Sequence, residues 1–241
     1  MGETQRSTTS PPPYTTQDGA SSPAPKQYPI PADIKPSNYI QILTVDAVRG
    51  VWTIDPGLTP PASLMSPPQG KEDRKNVLIE SQDGNINVDL FVLPSPNLEQ
   101  SKVSLKLNSW SGSACIRVHD AEPQNVSYTR RPMDIFVKAS MKKADVYIPR
   151  SFKGPLQLVT GKMGKVWYSK AVKAQITPIS AVNGTHRCFI GEYRLSDWKD
   201  EGKSWPGDEL QVDAKESINI YYDDEGDIPT KDTSEGGCIV M

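Results

Sequence analysis

The most definite chemical group in this chain lies at its C-terminus. Cys238-Ile239-Val240-Met241 matches the C-a-a-X pattern: a cysteine, two aliphatic residues and a terminal Met of the kind that favours farnesyl. The chemistry implied is alkylation of the Cys238 thiol by a prenyltransferase. That would give a peripheral, lipid-anchored protein on the cytosolic membrane leaflet. Gly236-Gly237 precede the motif, in a tail read as a flexible acidic tether. A single prenyl chain binds only marginally, at about 0.8 kcal/mol per buried CH₂. The usual helpers, a polybasic stretch or a second acylated Cys, are missing beside it. Residues 223–237 carry Asp223, Asp224, Glu225, Asp227, Asp232 and Glu235 against Lys231 alone, so anionic lipid repels the tail.

A second membrane signal is expected elsewhere. Residues 130–173 hold eleven basic and two acidic residues, in a chain of formal net charge -2. Lys142 and Lys143 fall in one predicted turn, and Lys162 and Lys165 in the next. Stacked turns would bring these four lysines into one corner facing an anionic surface, at roughly 1 kcal/mol per lysine. Nucleic acid would suit the same charge. However, the nearby Trp167 and Tyr168 fall in a predicted strand, and no nucleic-acid module is present, so no nucleic-acid partner is expected.

Other chemistries have no pattern to stand on. There is no Gly-x-Ser-x-Gly elbow, Walker loop or dinucleotide fingerprint, and Asp208-Glu209 lie beside a turn without an evident pocket. His119, His186 and the cysteines lack zinc-ligand spacing. The acidic run Asp223-Asp224-Glu225-Gly226-Asp227 lacks the alternation of a calcium loop. No catalytic residue, cofactor or metal is expected. Cys115 and Cys188 sit inside alternating apolar runs and read as buried free thiols. Residues 1–6 are polar, with Arg6 where myristoylation wants Ser or Thr, and no apolar run approaches the roughly 20 residues of a span. A cytoplasmic chain is expected, in which the sequons at Asn125 and Asn183 are coincidental.

The elements that must position these residues are strands. Thirteen of the 22 prolines lie in residues 1–70, and residues 1–37 read as a disordered arm rich in Pro, Ser and Thr, with Tyr14 and Tyr28 among the prolines. From Tyr39 one pattern recurs: apolar alternation, a short turn, then alternation again. Aligning Ser81 with Ser109 brings Gly84 onto Gly112. It also sets Val77, Ile79, Ile86, Val88 and Leu90 against Leu105, Leu107, Ala114, Ile116 and Val118. Further copies run through Ile135 to Ile148, Leu156 to Tyr168 and Leu210 to Tyr222, and an early one through Leu43, Val45, Ala47, Gly50, Trp52 and Ile54. Period-2 alternation means half-buried strands. Gly at the turns is expected to supply a positive φ. No apolar stripe of helical period is found. Six strand-turn-strand units make an all-β body over 38–223, either a β-solenoid-like stack of repeats or a sandwich. Long inserts fall at 56–75 and around 198–206, and residues 224–241 form the tail.

These copies carry a resemblance, together with Gly50-Val51-Trp52-Thr53-Ile54-Asp55-Pro56, Tyr147-Ile148-Pro149-Arg150-Ser151-Phe152-Lys153-Gly154-Pro155-Leu156 and Trp205-Pro206-Gly207-Asp208-Glu209-Leu210. The chain resembles a fungal domain-of-unknown-function family, number 7330 of its series, over about residues 38–224. The Ser-x-x-Gly turns also resemble those of bacterial putative-adhesin domains with stacked β-units. The resemblance implies the fold and its boundaries and no catalytic residue. A non-enzymatic, prenyl-anchored scaffold or binding module of unknown protein partner is expected. A surface or adhesin-like protein is the alternative, and an enzyme with a site invisible in sequence is the third.

Overall fold

Alternate side chains along each strand are buried, and this period drives the architecture. The computed structural model describes residues 33–65, 74–94, 102–121, 130–192 and 205–225. Six strand-turn-strand rungs stack in it. In spatial order they are β1 (Ile40–Thr44) with β2 (Val48–Ile54), β3 (Val77–Ser81) with β4 (Ile86–Val92), and β5 (Val103–Ser109) with β6 (Ala114–Asp120). Then come β7 (Met133–Ala139) with β8 (Ala144–Ile148), β13 (Glu209–Ala214) with β14 (Ser217–Tyr222), and β9 (Gly154–Thr160) with β10 (Lys165–Tyr168).

The first strand of each rung enters an eight-stranded sheet and the second a six-stranded sheet. Rung-to-rung pairing is parallel throughout. The body is therefore all-β and solenoid-like. Register puts like on like between the sheets. Val77, Leu105, Ile135, Leu210 and Leu156 follow one another across one sheet, and Ile86, Ala114, Ala144 and Ile218 across the other. All are essentially inaccessible. Full burial of each large aliphatic side chain contributes about 1.5–3 kcal/mol.

Four features differ from the expectation. The rung written last in the sequence, β13 with β14, lies fifth in space, between the rungs of β7 and β9. In the first rung the inward residues of β1 are Ile40 and Ile42, which pair with Val77 and Ile79. Leu43 pairs with Glu80 and faces solvent, so its alternation was read one residue out of phase. Third, Gly84 and Gly112 do not have positive φ. Glycine is needed there for close approach: a Cβ on Gly84 would sit 2.1 Å from the Ala47 nitrogen, and one on Gly112 2.2 Å from the Gly84 oxygen. Fourth, two elements carry no alternating repeat. The six-residue helix α1 (Lys170–Gln175) is capped by Ser169, whose Oγ accepts from the Val172 amide at 3.1 Å. The hairpin of β11 (Ile176–Val182) and β12 (Thr185–Ile190) turns at Asn183 (φ 50) and Gly184 (φ 76) and pairs antiparallel with β9. Together α1 and the hairpin cover the sixth-rung end of the stack.

Candidate functional site

Every rung turns over at the same edge, so the turns form a ridge along the stack. A ladder of backbone bonds runs through it. Trp110 donates to the Ser81 carbonyl at 3.0 Å, Ser140 to Ser109 at 2.9 Å, Lys215 to Ala139 at 3.2 Å, and Lys165 to Glu216 at 3.1 Å. The serine of each Ser-x-x-Gly turn ties rungs together. Ser81 Oγ accepts from the Gly84 amide at 3.0 Å and donates to the Asp46 carbonyl of the preceding rung at 2.8 Å. Ser109 Oγ donates to the Gly84 carbonyl at 3.0 Å. The ridge is thus rigidly displayed.

Charge along the ridge is polarised. Its first two rungs carry Asp46 and Asp83, and its last three carry Lys142, Lys143, Lys215, Glu216, Lys162 and Lys165. The four lysines singled out in the sequence do share this edge, but not as one contiguous group. The Lys215–Glu216 turn lies between the two pairs, which puts them two rungs, about 10 Å, apart. Glu216 bonds Lys142 at 3.4 Å, and Asp145 bonds Lys143 at 3.1 Å. Lys162, Lys165 and Lys215 form no ion pair among the described residues. The sequence reading missed Lys215 because it lies about fifty residues further along the chain. Large apolar side chains stand on the same ridge, beside and among the lysines. Trp110 is 64% exposed, Met141 50% and Met163 90%. Trp110 and Met141 line a shallow hollow of about 430 Å³ with Gln82, Asp83 and Ser111.

The opposite edge, where the strands of one sheet end and those of the other begin, holds Arg130 and Arg150 of the basic stretch in ion pairs. Asp208, 2% exposed, is its hub. Its carboxylate accepts from Arg130 Nη1 at 2.7 Å and Nη2 at 2.5 Å, from the Met133 amide at 2.9 Å and from the Lys153 amide at 2.9 Å. These amides lie at the starts of β7 and β9, so Asp208 fixes β13 between them. Asp120 also pairs with Arg130, at 3.2 Å, and accepts from Ser151. Arg150 pairs with Asp224 at 2.7 Å and lies over the Tyr222 ring. Two of the sequence segments that carry the family resemblance, 147–156 and 205–210, meet here. Trp205 packs edge-on against Phe189, and Lys102 bonds Glu209 at 2.6 Å. Asp208 and Glu209 therefore hold the rung in place.

His119 lies near this edge, stacked on Phe91. Its Nδ1 is 3.0 Å from Asp223 and its Nε2 3.5 Å from Asp89. Burial alone would lower its pKa, but hydrogen bonds and the charges of Asp223 and Asp89 outweigh that and raise it. The pair is nearly inaccessible. Cys115 and Cys188 are buried with free thiols, as expected. Burial pushes the Cys188 thiol up, which keeps it protonated and unreactive. Among the described residues no cluster of His, Cys, Asp or Glu has the makings of a metal site, and no helix is long and apolar enough to cross a membrane. Asn183 lies in the β11–β12 turn. Cys238, Asn125, Tyr14, Tyr28, most of the N-terminal arm and most of the tail lie outside the described residues.

Residues 38–225 match the model of a family described as a domain of unknown function, DUF7330, and the chain belongs to that family. No curated protein and no solved structure matches it.

Proposed function

We propose that this DUF7330 member is a non-enzymatic, prenyl-anchored module that works at the cytosolic leaflet of a membrane in a fungal cell. The observation that carries the reading is the lysine-bearing end of the turn ridge. Lys162, Lys165 and Lys215 are exposed on the turns and form no ion pair among the described residues, beside Lys142 and Lys143, which pair with Glu216 and Asp145. Cations that serve no contact within the fold are available to an anionic surface, at roughly 1 kcal/mol each. The C-a-a-X motif at Cys238 supplies the second contact, through a prenyltransferase. Two weak contacts on one molecule multiply, because the first makes the second intramolecular. In this reading the protein partner is whatever the module presents to the leaflet's cytosolic side.

The adhesin-like look of the Ser-x-x-Gly turns supports a rival, an extracellular binding protein. Occupied glycans at Asn125 or Asn183 would favour it. The deciding experiment combines intact-mass analysis of the native protein with flotation of the full chain on vesicles containing phosphatidylserine. The expected result is one farnesyl mass at Cys238, with salt-sensitive flotation that falls in Cys238→Ser and again when Lys142, Lys143, Lys162 and Lys165 are changed to Glu. An unmodified Cys238 and indifference to anionic lipid would overturn the proposal.

A further inference from the structure

We infer that the ridge carries a lipid-insertion crest, in which Trp110, Met141 and Met163 enter the interfacial layer of an anionic bilayer while the flanking lysines grip its headgroups. This rests on the membrane reading and adds to it a hydrophobic contact, a defined face and a pose.

The side chains themselves motivate it. A turn that only closes a rung is served by small polar residues. This ridge instead displays a Trp and two Met at its highest points, all strongly exposed. They occupy the third, fourth and sixth rungs, so the crest is about 15 Å long. Each Met adjoins lysine in the chain: Met141 precedes Lys142, and Met163 follows Lys162. Trp and Met supply buried area at the membrane–water boundary, and lysines hold their charge in the headgroups while their stems lie along apolar surface. The turns present these side chains on fixed backbone. At Met163, Gly161 donates to the Ala214 carbonyl at 3.2 Å and Gly164 to the Gly161 carbonyl at 2.8 Å.

Charge sets the tilt. Asp46 and Asp83 at the first-rung end are repelled by anionic lipid, while the lysines of the last three rungs are attracted. The sixth-rung end therefore sits lower. The tail can reach the same membrane from this pose. β14 leaves the ridge at Ser217 and ends at Tyr222 on the far edge, about 20 Å above the bilayer. Thirteen residues separate Asp224 from Cys238, and a flexible chain of that length spans about 20 Å on average. Lipid and crest then engage one surface together.

The test uses the prenylated full chain and vesicles of phosphatidylcholine mixed with phosphatidylserine. Changing Trp110, Met141 and Met163 together to Ser is expected to weaken partitioning about ten-fold, through lost apolar burial, and to do so at high salt as well as low. Brominated acyl chains should quench part of the tryptophan fluorescence of the wild type, and that part should vanish in Trp110→Phe. Unchanged binding of the triple variant, with loss in the lysine variant, would overturn the crest and leave the membrane reading standing. Failure of the wild type to bind would overturn both. Elution of the wild type as a dimer that the triple variant splits, without vesicle binding, would reassign the crest to contact between copies and overturn the inference.

Discussion

The two long edges of this stack use charge in opposite ways. At the strand-end edge, Arg130 is 20% exposed at its side chain and bonded to Asp208 and Asp120, while Arg150 is held by Asp224. At the turn edge, the side chains of Lys162, Lys165 and Lys215 are exposed and form no ion pair among the described residues. The same stretch of sequence supplies charges to both. Its excess of positive residues is thus two populations, one used up in assembling rungs and one left over. Only the second can be spared for a partner.

The contrast can be broken most sharply at Asp208. Replacing it by Ala takes the two-pronged carboxylate partner from the Arg130 guanidinium, leaving it Asp120, and removes the acceptor from two backbone amides; the expected cost is about 3–5 kcal/mol in urea unfolding. A loss below about 1 kcal/mol would mean that this edge is no more structural than the other. Next comes Gly84→Ala on the ridge. Its Cβ collides with the Ala47 backbone, and the expected cost is about 1–3 kcal/mol in thermal or chemical unfolding. That result would show that the ridge backbone is rigid even though its side chains are free.

A smaller effect belongs to His119. Its pKa is raised in the fold by Asp223 and Asp89, against burial. Its charged form therefore adds stability that is complete below its unfolded pKa of about 6.5 and is lost as pH rises through the folded value. Melting temperature should fall across that window in the wild type, and by less in His119→Gln. The smallest effect on stability is expected from changing Lys142, Lys143, Lys162 and Lys165 to Glu. Each substitution should stay within about 0.5 kcal/mol in calorimetry, while flotation on anionic vesicles is lost. A large drop in melting temperature would instead place these lysines in the structural population.

Much of the architecture was legible, because burial on alternate residues leaves its mark on each strand separately. All six rungs and their turns can be read from Val77, Ile79, Leu105, Leu107 and their counterparts. The order of the rungs cannot. Parallel neighbours are joined by long connections, and nothing local in Leu210 or Val212 says that they lie between Ile135 and Leu156. The phase of β1 was misread because Leu43 and Val45 are apolar yet exposed. The hairpin has a signal in Asn183-Gly184, a pair that also begins a sequon. α1 is too short for a stripe, and only its cap at Ser169 marks it. At the candidate site, four lysines were visible as turn residues, whereas the exposure of Trp110 was not, since a Trp beside alternating strands reads as core. The Asp208 hub joins residues 78 positions apart, beyond any spacing rule.

The interior place of β13 and β14 also constrains the history of each molecule. These strands come after every other described strand in the sequence, yet in space they lie between strands that precede them. While they are still being made, β7 and β9 have no partner between them, so the stack cannot grow by simple addition at one end. The sixth rung, its helix and its hairpin reach their final positions only after the last strands have been threaded into the gap. Such late, non-local closure is slow, and it leaves strand edges open during synthesis.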